Sequence, residues 1–236
     1  MPNSNRLLAS LSSKDAQAIR PHLRPVHLAQ QKILYETGDA MIDAYFPTSA
    51  IVSLVVGLST GEMVEVAMVG RDGVVGASSA FDGKTSLCRA IVQLTGDAFA
   101  CETGALRAAA MQSQSLLSIL IRHEQTVYAQ ALQSTACMAT HDVEARLCRW
   151  LLRARDLAQS DILQFTQEFL AEMLGVRRTS VTATAMRLQQ AGMIQYSRGK
   201  IQILDIEALA DTACECYATI NAHYRTLLGA PPRTVV

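Results

Sequence analysis

The period of the apolar positions separates this chain into three regions. Over residues 6–22, Leu7, Leu8, Leu11 and Ile19 recur at helical spacing, and Pro21 and Pro25 close the segment. From Val26 to about Cys101 the alternation is strand-like, in the runs KILYETGD, DAYFPTSAIVSLVVGL, GEMVEVAMVGRDGVVG and SLCRAIVQLTGDAFACE. Gly38-Asp39, Thr60-Gly61, Asp72-Gly73, Asp82-Gly83 and Gly96-Asp97 punctuate these runs at the spacing of an all-β roll or barrel. From Thr103 to about Gln159 the period is helical. Within it, Gln112–Met138 carries a 4-3-4-3 seam of Leu117, Ile121, Glu124, Tyr128, Ala131, Thr135 and Met138, broken in character by Glu124 and Thr135. Such a seam asks for a partner, either a second copy of the chain or the β region. Thr140–Leu157 predicts a further helix with Val143, Leu147, Trp150 and Leu151 inward, and with Arg146, Arg149, Arg153 and Arg155 as a solvated face. Ile206–Leu228 predicts a last helix carrying Tyr217 and Tyr224, followed by a frayed tail, PPRTVV.

Residues 166–204, TQEFLAEMLGVRRTSVTATAMRLQQAGMIQYSRGKIQIL, hold the densest local signals. Thr166 suits an N-cap, and Phe169, Leu170, Met173 and Leu174 form one buried helical face. Gly175 can adopt the left-handed conformation of a tight helix–helix corner. A second helix from about Arg178 keeps Val181, Ala185 and Leu188 inward and presents Arg177, Arg178, Thr179, Ser180 and Thr182 at its start. MIQYSRGKIQIL then alternates around Ser-Arg-Gly-Lys, a hairpin with Arg198 and Lys200 at its tip. Together these elements make a winged helix-turn-helix, a constellation that places a helix in the DNA major groove. The same two helices also occur as plain packing, so charge decides. Between Arg177 and Lys200 there are five basic residues (Arg177, Arg178, Arg187, Arg198, Lys200) and no Asp or Glu, the local excess a phosphate-facing surface needs.

That excess is local, because the formal net charge of the 236 residues is zero. Residues 1–140 hold ten Lys/Arg against eleven Asp/Glu, and residues 141–236 hold eleven against ten. Half the residues are hydrophobic and 18% charged, which describes a packed globular chain, not a disordered one. The first fifteen residues lack an apolar signal-peptide core. The longest apolar stretch, Ala50–Leu58, is interrupted by Ser53 and Gly57 and is too short to span a bilayer. The expectation is a cytoplasmic protein with no membrane partner. Cys88, Cys101, Cys137, Cys148, Cys214 and Cys216 include no C-x-x-C pair. Cys214 and Cys216, read inside a helix, project about 200° apart and could not bind one metal together. Reduced, buried thiols are the reading, with a redox-sensing thiol as the alternative. His22, His27, His123, His141 and His223 are dispersed and read as surface or capping residues. Neither a metal nor a cofactor is expected.

A β-roll, a long helix and a winged helix-turn-helix, in that order, resemble the Crp/Fnr family of bacterial transcription regulators over nearly the whole chain. The most specific match is ARLCRWLL followed by FTQEFLAEMLGVRRTSVTATAMRLQQAGMI and the SRGKI wing. The resemblance implies an α+β fold: an N-terminal double-stranded β-helix, a jelly-roll-like sensor (1–111), a dimerisation helix (112–140) and a C-terminal winged helix-turn-helix (141–236). It implies base and phosphate contacts from Arg177, Arg178, Thr179 and Ser180, with Arg178 where the family usually has a guanine-reading arginine. Thr166 and Gln167 fall where the family touches the DNA backbone. Chemistry agrees, since Arg offers a planar fork to guanine O6/N7 and helix N-termini favour phosphate. Where many members have a second long basic residue one turn on, this chain has Ala183. The implied partners are double-stranded DNA, a second copy of the chain and, as a further candidate, RNA polymerase.

The sensor half departs from the cyclic-nucleotide-binding members. Their cassette supplies a Glu for the ribose and an Arg for the cyclic phosphate. In the matching segment VVGASSAFDGKTSLCRAIV, Ala77 takes the Glu position and Leu87 the Arg position, with Arg89 two residues on. Gly76, Ala77, Ser78, Leu87, Cys88 and Arg89 are therefore the effector-pocket candidates, and no cAMP response is expected. No cysteine precedes Cys88 to hold an iron–sulfur cluster, and no His follows His27 within the β-roll to ligate haem; Pro2, the other family haem ligand, stands behind Met1. A cupin-type enzyme would need an H-x-H and a Glu on facing strands, and no such grouping, G-x-S-x-G elbow, P-loop or H-E-x-x-H occurs. The chain is read as a non-enzymatic, sequence-specific DNA-binding regulator. The alternatives are a β-roll ligand-binding module without DNA binding and a thiol-based redox-responsive regulator.

Overall fold

The computed structural model describes residues 4–229, so Pro2 and the PPRTVV tail lie outside the described residues. Two short helices lead in, α1 (Arg6–Ala9) and α2 (Ser13–Ile19), followed by a 3-10 turn over Arg20–His22. The single helical lead-in expected over residues 6–22 is thus broken, because Ser12 starts α2 afresh by accepting the Asp15 N–H. Nor does Pro25 end a helix. It sits within β1, an edge strand where its missing N–H removes no ladder bond that the sheet needs. Fully buried Asn5 donates to the carbonyls of Pro47 and Gly73, both at 2.8 Å, and so pins α1 to the strands.

The N-terminal half is a roll of two antiparallel sheets. Its strands are β1 (Leu23–Leu28), β2 (Ile33–Tyr35), β3 (Asp43–Pro47), β4 (Ile51–Gly57), β5 (Met63–Val69), β6 (Arg89–Leu94) and β7 (Gly96–Glu102). One sheet is ordered β1-β7-β3 and the other β2-β6-β4-β5. Leu28, Tyr35, Val52, Val69, Val92 and Ala98 fill the space between them. After β7 come α3 (Thr103–Gln112) and the long α4 (Gln114–Thr140), N-capped by Ser113. One side of α4 buries Leu116, Leu120, His123, Thr126, Gln130, Ser134 and Cys137. The opposite side leaves Ile121 40% exposed, Tyr128 66% and Leu132 54%. Glu124, a member of the seam read from sequence, leaves that stripe and accepts the backbone N–H of Ser78 in the β-roll.

The C-terminal half comprises α5 (Val143–Ala158), β8 (Ile162–Gln164), α6 (Gln167–Leu174), α7 (Arg178–Gln190), β9 (Ile194–Ser197), β10 (Lys200–Ile203), α8 (Ile206–Thr212) and α9 (Cys216–Leu228). Its core is continuous with the roll: Ile51, Val55 and Met68 join Trp150, Leu151, Phe165, Leu170, Val181 and Leu188 in one cluster. Trp150 meets Phe165 edge-on, ring centroids 4.8 Å apart, and its Nε1–H donates to Glu65 on β5 at 2.8 Å. Truncating either ring to Ala would cost about 3–5 kcal/mol.

Four expectations fail here. Arg146, Arg149 and Arg153 do not form a solvated face; all three are buried, because α5 packs against β4, α6, α7, α8 and α9. Arg153 pairs with buried Asp72 at 2.7 Å and lies 4.3 Å above the Tyr224 ring, while Arg146 donates to the Leu174 carbonyl. The last helix is also two helices. α8 stops at Thr212, with extended backbone at Ala213, so Cys214 lies in the turn before α9. The angular argument that kept Cys214 and Cys216 apart therefore does not hold. Their thiols converge with Cys137 and His141, all four donor atoms lying within 4.8 Å of one another. His123 likewise is no surface residue: it is fully buried and accepts the Val74 N–H at 3.2 Å.

Candidate nucleic-acid interface

Each part of the helix-turn-helix is set by a local interaction. Thr166 Oγ1 accepts the Phe169 N–H at 3.1 Å and starts α6. Gly175 ends it at φ +61°, and the Val176 N–H returns to the Ala171 carbonyl at 3.0 Å, closing a Schellman turn. A side chain at this position would be strained, and its Cβ would also press on Val64 of β5 at 3.0 Å. α7 then runs across α6 with Val181, Ala185 and Leu188 buried as expected. Arg177 occupies its N-cap position and offers no side-chain cap, so no side chain at that position satisfies the leading N–H groups at the positive end of the helix dipole.

Arg177, Arg178 and Thr179 are exposed around that N-terminus, and Ser180 and Thr182 are half-buried behind them. Thr182 Oγ1 donates to Gln167 Oε1 at 2.6 Å, which ties the first turn of α7 to the first turn of α6. β9 and β10 pair in register Lys200↔Ser197 and Ile201↔Tyr196, and β8 pairs along the other side of β10. Arg198 and Gly199, at φ +50° and +76°, make the two-residue turn whose left-handed pair matches the twist of a hairpin. A Cβ at Gly199 would lie 3.7 Å from the Thr166 methyl group, so the wing tip stands beside the start of α6. The fold thereby brings Thr166, Gln167, Thr182 and the wing tip together and leaves Arg177, Arg178, Arg198 and Lys200 exposed around them.

Two features of this surface have no local sequence signal. Arg187, counted in the basic run, reaches away to Glu144 on α5 at 2.6 Å. Glu168 stands 3.6 Å from Arg178, an exposed pair worth at most about 1 kcal/mol and readily broken by a phosphate.

The effector-pocket candidates are only partly gathered. Gly76 takes φ +87° and opens a 3-10 turn over Ala77–Phe81, in which Ala77 is fully buried. Leu87 is 89% exposed. Arg89 is held by Glu36 at 2.8 Å and touches Met63 Sδ at 2.9 Å. Burial raises the Cys88 thiol and the Glu124 carboxyl above their usual ranges, and Ser78 donates its backbone N–H to that carboxyl.

A family model of the Crp-like helix-turn-helix domain matches residues 145–212. No curated protein matches the chain in sequence. Among solved structures it resembles FixK2 from Bradyrhizobium japonicum, with a TM-score of 0.70, 15% identity and coverage of 81% of this chain and 98% of that one. It also resembles a crp/fnr-family regulator from Eubacterium rectale, with a TM-score of 0.68, 17% identity and coverage of 89% and 98%. A Crp/Fnr-family regulator from Thermus thermophilus shares 23% identity at a TM-score of 0.64, over 80% of this chain and 98% of that one. At these identities the likeness is one of fold. Among the described residues no helix is long and apolar enough to cross a membrane.

Proposed function

We propose that this chain, a Crp/Fnr-type transcriptional regulator by its domain and fold, binds an inverted-repeat operator as a homodimer. In this reading residues 1–111 are the sensor, 112–140 the dimerisation helix and 141–236 the DNA-binding domain. The observation that carries the reading is the uncapped, exposed N-terminus of α7, bearing Arg177 and Arg178 beside the Thr166–Gln167 turn and the basic wing tip. Arg178 and Thr179 read base edges. Arg177, Thr166, Gln167, Ser180, Thr182, Arg198 and Lys200 contact or position the phosphate backbone. The dimer forms along the Ile121–Tyr128–Leu132 stripe of α4, whose spacing follows one helical face.

The roll is not a cyclic-nucleotide receptor in this reading. Leu87 points to solvent, Arg89 is engaged by Glu36, and the Ser78 N–H that could meet a phosphate already has the Glu124 carboxylate. Calorimetry with cAMP up to millimolar concentration is expected to give no binding heat.

The DNA assignment is tested by fluorescence anisotropy of a mixed-sequence duplex across a salt series. Affinity is expected to fall with salt at a log–log slope of about −0.9 per phosphate neutralised. Replacing Arg177, Arg198 and Lys200 together by Ala should flatten that slope by about 3. An unchanged slope, or no binding at low salt, would remove this surface from consideration.

A further inference from the structure

The hinge between the long helix and the DNA-binding half is built from sulfur. α4 ends at Thr140 and α5 begins at Val143, so His141 and Asp142 alone connect them. Cys137 lies one helical turn before His141, and the turn from α8 into α9 delivers Cys214 and Cys216 against them. The three cysteines form a buried cluster of their own, packed against Ala145. No leucine, isoleucine or aromatic residue belongs to that cluster.

Its distances are those of a coordination sphere. A tetrahedral zinc ion with Zn–S near 2.3 Å and Zn–N near 2.0–2.1 Å sets S···S edges of about 3.8 Å and S···N edges of about 3.6 Å. Cys137 Sγ stands 3.5 Å from Cys214 Sγ, and Cys216 Sγ 3.6 Å from His141 Nδ1. All four donor atoms fall within 4.8 Å of one another. That is the span of one ion; an iron–sulfur cluster interposes its own atoms and holds its ligands farther apart.

The surroundings fit as well. With Nδ1 turned to the sulfurs, the other ring nitrogen of His141, Nε2, lies 3.2 Å from Glu215 Oε2. A carboxylate behind the imidazole fixes the tautomer and orients the ring toward a metal. Gln133 Nε2 donates to Cys216 Sγ at 3.0 Å, a hydrogen bond suited to a thiolate. Three thiolates and an imidazole around Zn²⁺ carry a net charge of about −1. The buried guanidiniums of Arg146 and Arg149 act on Cys137 electrostatically, and among the described residues the Nε of each has no hydrogen-bond partner.

We propose that Cys137, His141, Cys214 and Cys216 form a closed Cys3His site for a structural zinc ion that clamps the start of α9 to the end of α4. All four coordination positions are filled by protein, which leaves none for a substrate. Binding displaces the thiol protons to solvent and involves no change of oxidation state. The assignment is independent of DNA binding.

The test is metal content of the reduced full chain after exposure to zinc and desalting, followed by cobalt substitution. One zinc per chain is expected, and Co²⁺ should give thiolate charge-transfer bands with the intense visible bands of tetrahedral coordination. Cys214→Ser and His141→Ala should each lose the stoichiometric metal, and His141→Cys should retain it with a shifted cobalt spectrum. Cys148→Ser, which alters a buried cysteine outside the cluster, should retain it unchanged. Glu215→Gln should weaken zinc affinity about 10–100-fold. If Cys214→Ser does not fold, the exposed-edge pair His141→Ala and His141→Cys decides. Sub-stoichiometric zinc in the folded wild type would overturn the proposal, as would a cobalt spectrum without thiolate bands. So would recovery of Cys137 and Cys214 as a disulfide that persists under mild reduction and excludes the metal.

Discussion

Asp72 is the residue whose loss should be felt farthest from where it sits. It lies in the turn after β5, is buried, and pairs at 2.7 Å with Arg153 of α5, 81 positions later. Burial works against the charge on Arg153, and the Asp72 carboxylate 2.7 Å away, with Tyr224 and Asp156, outweighs it and keeps the guanidinium protonated. Beneath the guanidinium, the Tyr224 ring at 4.3 Å supplies about 0.5–2 kcal/mol more. Asp72→Leu would leave a buried guanidinium whose Nε already has no partner among the described residues, at a cost of about 3–5 kcal/mol. At about 2–4 °C per kcal/mol for a chain of this size, the melting temperature should fall by about 10 °C. The double substitution Asp72→Leu, Arg153→Met removes both charges and should recover most of that loss, because an apolar pair of similar volume is often neutral. Urea unfolding followed by the fluorescence of Trp150, which sits in the core shared by the roll and the C-terminal half, is the assay. A cost under about 1 kcal/mol for Asp72→Leu, or a double variant as weak as the two singles summed, would refute the reasoning.

Two further outcomes follow from the same interior and from α4. Burial pushes the Glu65 carboxyl up to about 7, against hydrogen bonds from Ser53 and Trp150 and the charges of Arg149 and Arg153. The folded chain therefore holds a proton that the unfolded chain releases above about 4.5, so this group's stabilisation is full below that pH and is lost as pH rises through 7. Glu65→Gln, which mimics the protonated form, should gain on wild type in melting temperature between pH 5 and pH 8; a gap constant with pH would contradict this. His123, held neutral with its pKa lowered to about 4 by burial, acts in the opposite direction but equally in both proteins. On α4, Tyr128→Asp places a charge in the exposed Ile121–Leu132 stripe and should shift the chain toward monomer in sedimentation at micromolar concentration, with the fold intact by circular dichroism. An unchanged dimer would move the interface elsewhere.

The parts of the fold that could be read from sequence are those fixed within a few residues. Thr166 capping α6, Gly175 turning it and Arg198-Gly199 bending the wing each act on their own neighbours, and each stands where the pattern placed it. The arginines of α5 show the opposite case. Leu147, Trp150 and Leu151 mark one inward face, but periodicity cannot tell that Tyr224 of α9 packs on Arg153, nor that Asp72 supplies the charge for it. Arg187 belongs to the basic run in sequence, but its partner, Glu144, lies 43 positions earlier, beyond any local pattern. The Cys/His cluster did leave a signal, Cys137-x3-His141 and Cys214-x-Cys216. The helical periodicity over Ile206–Leu228 masks it, and the break at Ala213 is what turns the two thiols to one side.

The central claim is that the start of α7 reads bases from a two-fold pair of chains, and selection of bound duplexes from a random-sequence library tests it most directly. The wild-type chain should enrich an inverted repeat whose half-site centres lie about one helical turn, about 34 Å, apart. Arg178→Ala, selected in parallel, should retain the symmetry and spacing, lose preference at one base pair per half-site and bind its best site about 1–3 kcal/mol more weakly. A library that yields no enriched sequence, an enriched site without two-fold symmetry, or an identical motif from the Arg178→Ala chain would contradict the account.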